Sequence, residues 1–167
     1  MKADKIYLVG FMAAGKTSLA RALAERLSWR VEDVDELIEA REKKTVADIF
    51  AQCGEPHFRL LEREIVQLLL PIRHVVVATG GGTFMDAESR AAINRDGLSI
   101  WLDVPFEELL ARVPADGRRP LAADRDQLAR LFAIRQVGYE QAHLRLDARR
   151  APVGELVERV LEALEER

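Results

Sequence analysis

The run Gly10-Phe11-Met12-Ala13-Ala14-Gly15-Lys16-Thr17 fits G-x-x-x-x-G-K-[ST], the pattern of a loop that wraps phosphate groups. Glycines let such a loop curl so that successive N–H groups point at a phosphate, and the start of the following helix adds partial positive charge. The amine of Lys16 is placed to bridge β- and γ-oxygens, and the hydroxyl of Thr17 to ligate Mg²⁺. A short pattern of this kind also arises by chance, so its flanks must decide. Ile6-Tyr7-Leu8-Val9 before it suits a buried parallel strand, and Leu19, Ala20, Leu23, Ala24 and Leu27 after it recur at helical spacing. The ligand implied is a nucleoside triphosphate.

Other residues along the chain could meet that ligand or its partner. Trp29–Asp35 reads as a strand ending in Asp33 and Asp35, a spacing that in extended backbone puts both carboxylates on one face. The lesser alternative is that Asp35 caps the helix that begins at Glu36. Residues 45–70 read as two amphipathic helices broken near Gly54, with Pro56 in an early turn. Arg59 and Glu62 stand one turn apart on the second of them, which by spacing alone is a weak solvated pair. Gly80-Gly81-Gly82 follows the strand His74–Thr79 and marks either a close approach of backbone to a ligand, a positive φ, or a flexible turn. The helix from Pro105 to Ala111 delivers Arg112 to a Pro- and Gly-containing loop with Arg118 and Arg119. Those arginines suit a lid over polyphosphate, or are solvated charge. Arg135 and Tyr139 share a helix spanning about 125–142. His57 and Cys53 have no partner motif.

The elements needed to position these groups alternate along the chain. Further strands are expected at Leu98–Leu102 and Leu144–Leu146, with helices over 86–94 and 153–164, so the class is α/β with a parallel sheet. A chain of 167 residues fits one domain over 1–167. The one cysteine excludes an internal disulfide framework and points to a reducing, cytoplasmic setting. A net charge of −3 argues against a nucleic-acid partner. No apolar run approaches the roughly 18 residues of a membrane span, and Met1–Lys5 has no apolar signal region. A monomer acting on small molecules is expected.

Taken together, the phosphate loop, Asp33-x-Asp35, the Ala47–Phe50 to Phe58-Arg59 to Glu62 run, the glycine triplet and Arg119-Pro120-Leu121 resemble the shikimate kinase family, in order and across nearly the whole chain. The loop and Asp-x-Asp occur in many small-molecule kinases. Gly54-Glu55, Phe58-Arg59, Glu62 and Gly80–Gly82 together are specific to this family. The resemblance implies a five-stranded parallel sheet flanked by helices, of the nucleoside monophosphate kinase type, with substrate-binding helices over about 34–70 and a lid over about 113–123. It implies transfer of the γ-phosphoryl of ATP to the 3-hydroxyl of shikimate, with Mg²⁺ as cofactor. By the same resemblance Gly10, Ala13, Ala14, Gly15, Lys16, Thr17, Ser18, Arg112 and Arg119 bind nucleotide, and Thr17 and Asp33 serve the metal. Asp35, Arg59, Gly80, Gly81, Gly82 and Arg135 grip shikimate, with Lys16, Asp35 and Arg119 catalytic. Alternatives are a sibling kinase for another hydroxy acid such as gluconate, and a nucleotide-binding module without catalysis. Ala13 and Lys43 stand where the family often has glycine, and Val137-Gly138 replaces a common Pro-x before Tyr139. Ala13 strains the loop if its position needs positive φ, and Val137-Gly138 bears on the helix that places Arg135.

Overall fold

The computed structural model describes residues 3–112 and 125–167; the lid expected over 113–123, with Arg118 and Arg119, lies outside them. The sheet has five parallel strands, β1 (Lys5–Val9), β2 (Arg30–Asp33), β3 (Val75–Ala78), β4 (Leu98–Asp103) and β5 (Leu144–Asp147), in the order β2-β3-β1-β4-β5. The three central strands are the apolar ones and are buried, as a parallel sheet covered on both faces requires. Edge strands β2 and β5 carry exposed charged residues, Arg30, Arg145 and Asp147, which discourages further strand pairing.

Seven helices connect or flank the strands among the described residues: α1 (Lys16–Leu27), α2 (Val34–Glu42), α3 (Val46–Leu69), α4 (Ala87–Asp96), α5 (Phe106–Arg112), α6 (Arg125–Tyr139) and α7 (Val153–Glu165). In α1 the stripe Leu19, Ala20, Leu23, Ala24 is buried, as its period predicts. No helix among the described residues is long and apolar enough to cross a membrane.

The break expected near Gly54 is present. Gly54 has φ 81° and ψ 168° inside α3, and the backbone turns there before Pro56 opens the second half. Two expectations fail. The strand predicted to reach Asp35 stops at Asp33, because the Asp33 carboxylate accepts a hydrogen bond from the N–H of Glu36 at 3.1 Å and starts α2 there. Asp33, not Asp35, is therefore the cap, and Asp35 sits in the first helical turn. The two carboxylates consequently do not share a strand face. A single 3-10 turn at Thr83–Met85 also follows the glycine triplet, which sequence reasoning did not foresee.

The departures from family glycines have a backbone consequence. Ala13 has φ 62° and Lys43, at the end of α2, has φ 56°. Both occupy the left-handed region, which costs an L-residue roughly 1–2 kcal/mol.

Candidate active site

Brought to the carboxyl ends of β1, β2 and β3, the predicted residues line one cavity of about 660 Å³. It opens where the chain order reverses across the sheet, the usual ligand crevice of an open α/β fold. Met12 to Ser18, Asp33, Asp35, Arg59, Gly80–Gly82, Arg112 and Arg135 all line it. Gly10 lies beneath the loop, where an added Cβ would stand 2.9 Å from the carbonyl oxygen of Leu102; β4 thus fixes how low the loop can sit.

At the phosphate end, the amine of buried Lys16 donates to the carbonyls of Gly10 at 2.5 Å and Phe11 at 2.8 Å, folding back over the loop it serves. Thr17 Oγ1 donates to Asp33 Oδ2 at 2.6 Å. With its proton committed to Asp33, the Thr17 hydroxyl presents lone pairs to the cavity. No group of three or more His, Cys, Asp or Glu among the described residues could hold a metal. Mg²⁺ needs no such cage, since it keeps several waters and takes one or two protein ligands beside phosphate oxygens. Thr17 and Asp33 fit that requirement. Arg112 reaches the loop from α5, with Nη1 donating to the carbonyls of Ala13 at 3.2 Å and Ala14 at 3.3 Å.

At the other end, the glycine triplet earns its composition by close approach. None of the three has positive φ. A Cβ on Gly80 would lie 2.8 Å from Asp35 Oδ1 and 2.9 Å from Glu62 Oε2, one on Gly81 3.0 Å from Arg135 Nη1, and one on Gly82 2.6 Å from Arg59 Cζ. The triplet is a floor against which two carboxylates and two guanidiniums rest.

Glu62 organises that floor. It is 3% exposed, its Oε1 takes Arg59 Nη1 at 2.5 Å, and its Oε2 takes the Thr83 hydroxyl at 2.6 Å. Thr83 Oγ1 in turn accepts the N–H of Gly80 at 3.0 Å. The pair read from spacing as a weak surface contact is in fact a part-buried, charge-assisted one. Burial alone would lower the pKa of Arg59, but Glu62 and then Glu55 more than offset it, so the guanidinium is held above its ordinary value.

Arg135 is 5% exposed, and its Cζ lies 5.6 Å from the centre of the Phe11 ring. Burial pushes its pKa down, and the charge of Arg59 adds to that while Tyr139 and Glu62 oppose it. Two guanidiniums thus face one crevice, a site that gains from a bound anion. The Val137-Gly138 departure lies where this helix meets the Thr83–Met85 turn. Val137 is exposed, and Gly138 lets α6 press onto the Thr83–Met85 turn, since a Cβ there would lie 2.8 Å from Met85 Sδ. Buried Tyr139 then donates its hydroxyl to the carbonyl of Gly81.

Sequence reasoning did not place Glu62, Thr83 or Tyr139 among the site residues. Glu62 stands one turn from Arg59, but what brings Thr83 and Tyr139 into the site are contacts with distant segments, to Glu62 and to the carbonyl of Gly81. Ser18 is exposed but lines the cavity.

A family profile described as shikimate kinase matches residues 12–165. The shikimate kinase of Symbiobacterium thermophilum is 44% identical over 168 residues, covering 97% of each chain. Shikimate kinase from Acinetobacter baumannii, solved in complex with shikimate, superimposes with a TM-score of 0.93 at 34% identity, over 98% of this chain and 93% of that one. Thymidylate kinase from Candida albicans aligns with a TM-score of 0.60 at 14% identity, over 99% of this chain and 92% of that one, a likeness of fold alone.

Proposed function

The chain belongs to the shikimate kinase family, and from that premise we propose that it transfers the γ-phosphoryl group of ATP to the 3-hydroxyl of shikimate, giving shikimate 3-phosphate and ADP. The observation that carries this reading is the pairing of Arg59 and Arg135 along Gly81 and Gly82, in the same cavity as the phosphate loop. A small acid needs guanidinium forks for its carboxylate and acceptors for its hydroxyls, and Arg59, Arg135 and Asp35 line the same cavity.

In this mechanism Lys16 and the loop N–H groups hold the β- and γ-phosphates, while Arg59 and Arg135 clamp the acceptor carboxylate. Thr17 and Asp33 would hold Mg²⁺, with Asp33 also fixing the Thr17 hydroxyl, whose hydrogen bond it accepts. The chemistry supplied by that ion would be positive charge to offset the negative phosphate groups. Asp35, held against Gly80, orients the acceptor hydroxyl toward the γ-phosphorus and accepts its proton as transfer completes. Because phosphoryl transfer passes through a loose transition state, position and electrostatics matter more than early deprotonation. α2 and α3 form the acceptor-binding part of the enzyme, which works as a cytoplasmic monomer.

Coupled ADP release tests the reaction with shikimate and gluconate as acceptors. Turnover with shikimate alone is expected. Equal turnover with gluconate would favour the sibling kinase, and ATP hydrolysis indifferent to acceptor would sink both. Asp35→Asn keeps shape but loses the base; single-turnover transfer should fall by about 10²-fold or more with ATP affinity held.

A further inference from the structure

One carboxylate outside the acceptor pocket joins three separate segments at the nucleotide end. Glu108 lies one turn before Arg112 on α5, and its Oε2 takes Arg112 Nη2 at 2.6 Å. Its Oε1 takes the backbone N–H of Arg150 at 3.0 Å, from the segment that follows β5. Arg112 uses its other terminal nitrogen on the carbonyls of Ala13 and Ala14 in the phosphate loop. The bridge therefore runs from the β5–α7 connection, through Glu108 and Arg112, to the loop.

An exposed pair at this helical spacing is ordinarily worth a few tenths of a kcal/mol, because both side chains rotate freely. Glu108 is different in two respects. Its side chain is only 20% exposed, and its second oxygen is held by a backbone donor from another segment, so the carboxylate is locked in azimuth. The backbone at that donor is itself unusual: Arg150 has φ 51°, a conformation that persists in a non-glycine residue when its surroundings over-determine it. With the carboxylate held at both oxygens, the Arg112 side chain, although 39% exposed, is restrained in its rotamers before any ligand arrives.

We propose that Glu108 is a positioning residue for the nucleotide site, holding Arg112 in the orientation that meets ATP. The proposal rests on the reading of Arg112 as a nucleotide contact, and the test separates the two.

KM for ATP, KM for shikimate and kcat are measured for wild type, Glu108→Ala, Arg112→Ala and the double variant, with Glu108→Gln as a milder change. Glu108→Ala should raise KM for ATP by about fivefold, the scale of coupling between contacting residues, and leave KM for shikimate unmoved. Glu108→Gln should fall between, since it keeps one acceptor oxygen without the charge. In the double variant the Glu108 effect should vanish, leaving the KM of Arg112→Ala alone. Additive effects would show that Glu108 acts through the β5–α7 connection instead and overturn the proposal. So would an unchanged KM in both Glu108 variants beside a raised one in Arg112→Ala. An unchanged KM for ATP in Arg112→Ala itself would sink the reading of Arg112, and the proposal with it.

Discussion

Gly82 lies directly under the guanidinium of Arg59, with room for a hydrogen but not a methyl: a Cβ would stand 2.6 Å from both Cζ and Nη2 of Arg59. Gly82→Ala should therefore push Arg59 out of line without touching the phosphate loop. KM for shikimate is expected to rise about tenfold or more, as misplacement of a charged clamp does, while KM for ATP holds. Steady-state kinetics with each substrate varied in turn checks this, and an unchanged shikimate KM would mean that Arg59 does not hold the acceptor.

Asp33 both accepts the Thr17 hydroxyl and caps α2, so its removal should have two separable effects. Asp33→Ala should lose turnover at limiting Mg²⁺, recover part of it at high Mg²⁺, and lose about 1 kcal/mol of stability with the cap. Asp33→Asn retains a capping oxygen and should keep the stability while still demanding more Mg²⁺. Magnesium titration of activity beside urea unfolding distinguishes the two. A variant with normal magnesium demand would remove Asp33 from the metal site.

Lys43 ends α2 at φ 56° and is exposed, away from the cavity lining. Lys43→Gly should relieve the left-handed backbone at the cost of a more flexible unfolded chain, for a net gain of about 1 kcal/mol. The midpoint of urea unfolding should rise with its slope unchanged. A lower midpoint would show that the lysine stabilises this turn by other means.

Acid should unfold the protein partly through Asp96. Its Oδ2 meets Lys5 Nζ at 2.7 Å and the Tyr7 hydroxyl at 2.6 Å, and its Oδ1 meets Arg73. Burial works to raise this carboxyl, but the hydrogen bonds from Lys5, Tyr7 and Arg73 outweigh it and hold it below the ordinary 3.8. A depressed carboxyl binds its proton more readily in the unfolded chain, so its stabilising effect is complete above about pH 4 and is lost as pH falls toward the folded value. Asp96→Asn should be less stable at neutral pH and lose less on acidification than wild type. Parallel acid limbs for the two proteins in urea unfolding would contradict this.

Much of the protein was legible from local pattern alone. Apolar runs and helical periods located the five strands and the helices that follow them, because burial on one or both faces leaves a repeat in the chain itself. The phosphate loop was legible for the same reason: backbone curvature, amine and hydroxyl all come from adjacent residues. The glycine triplet was marked by its own composition, whereas the roles of Arg59 and Arg135 came by resemblance; for Arg59 spacing alone carried a weaker reading, since an i, i+3 pair looks the same whether buried or solvated. Only tertiary packing decided that Glu62 is buried between Arg59 and Thr83, that Gly81 and Gly82 must lack side chains because guanidiniums from α6 and α3 rest on them, and that Asp33 rather than Asp35 begins α2. Each of those outcomes depends on distances between segments far apart in the chain, and no periodicity along the sequence encodes a distance across the fold.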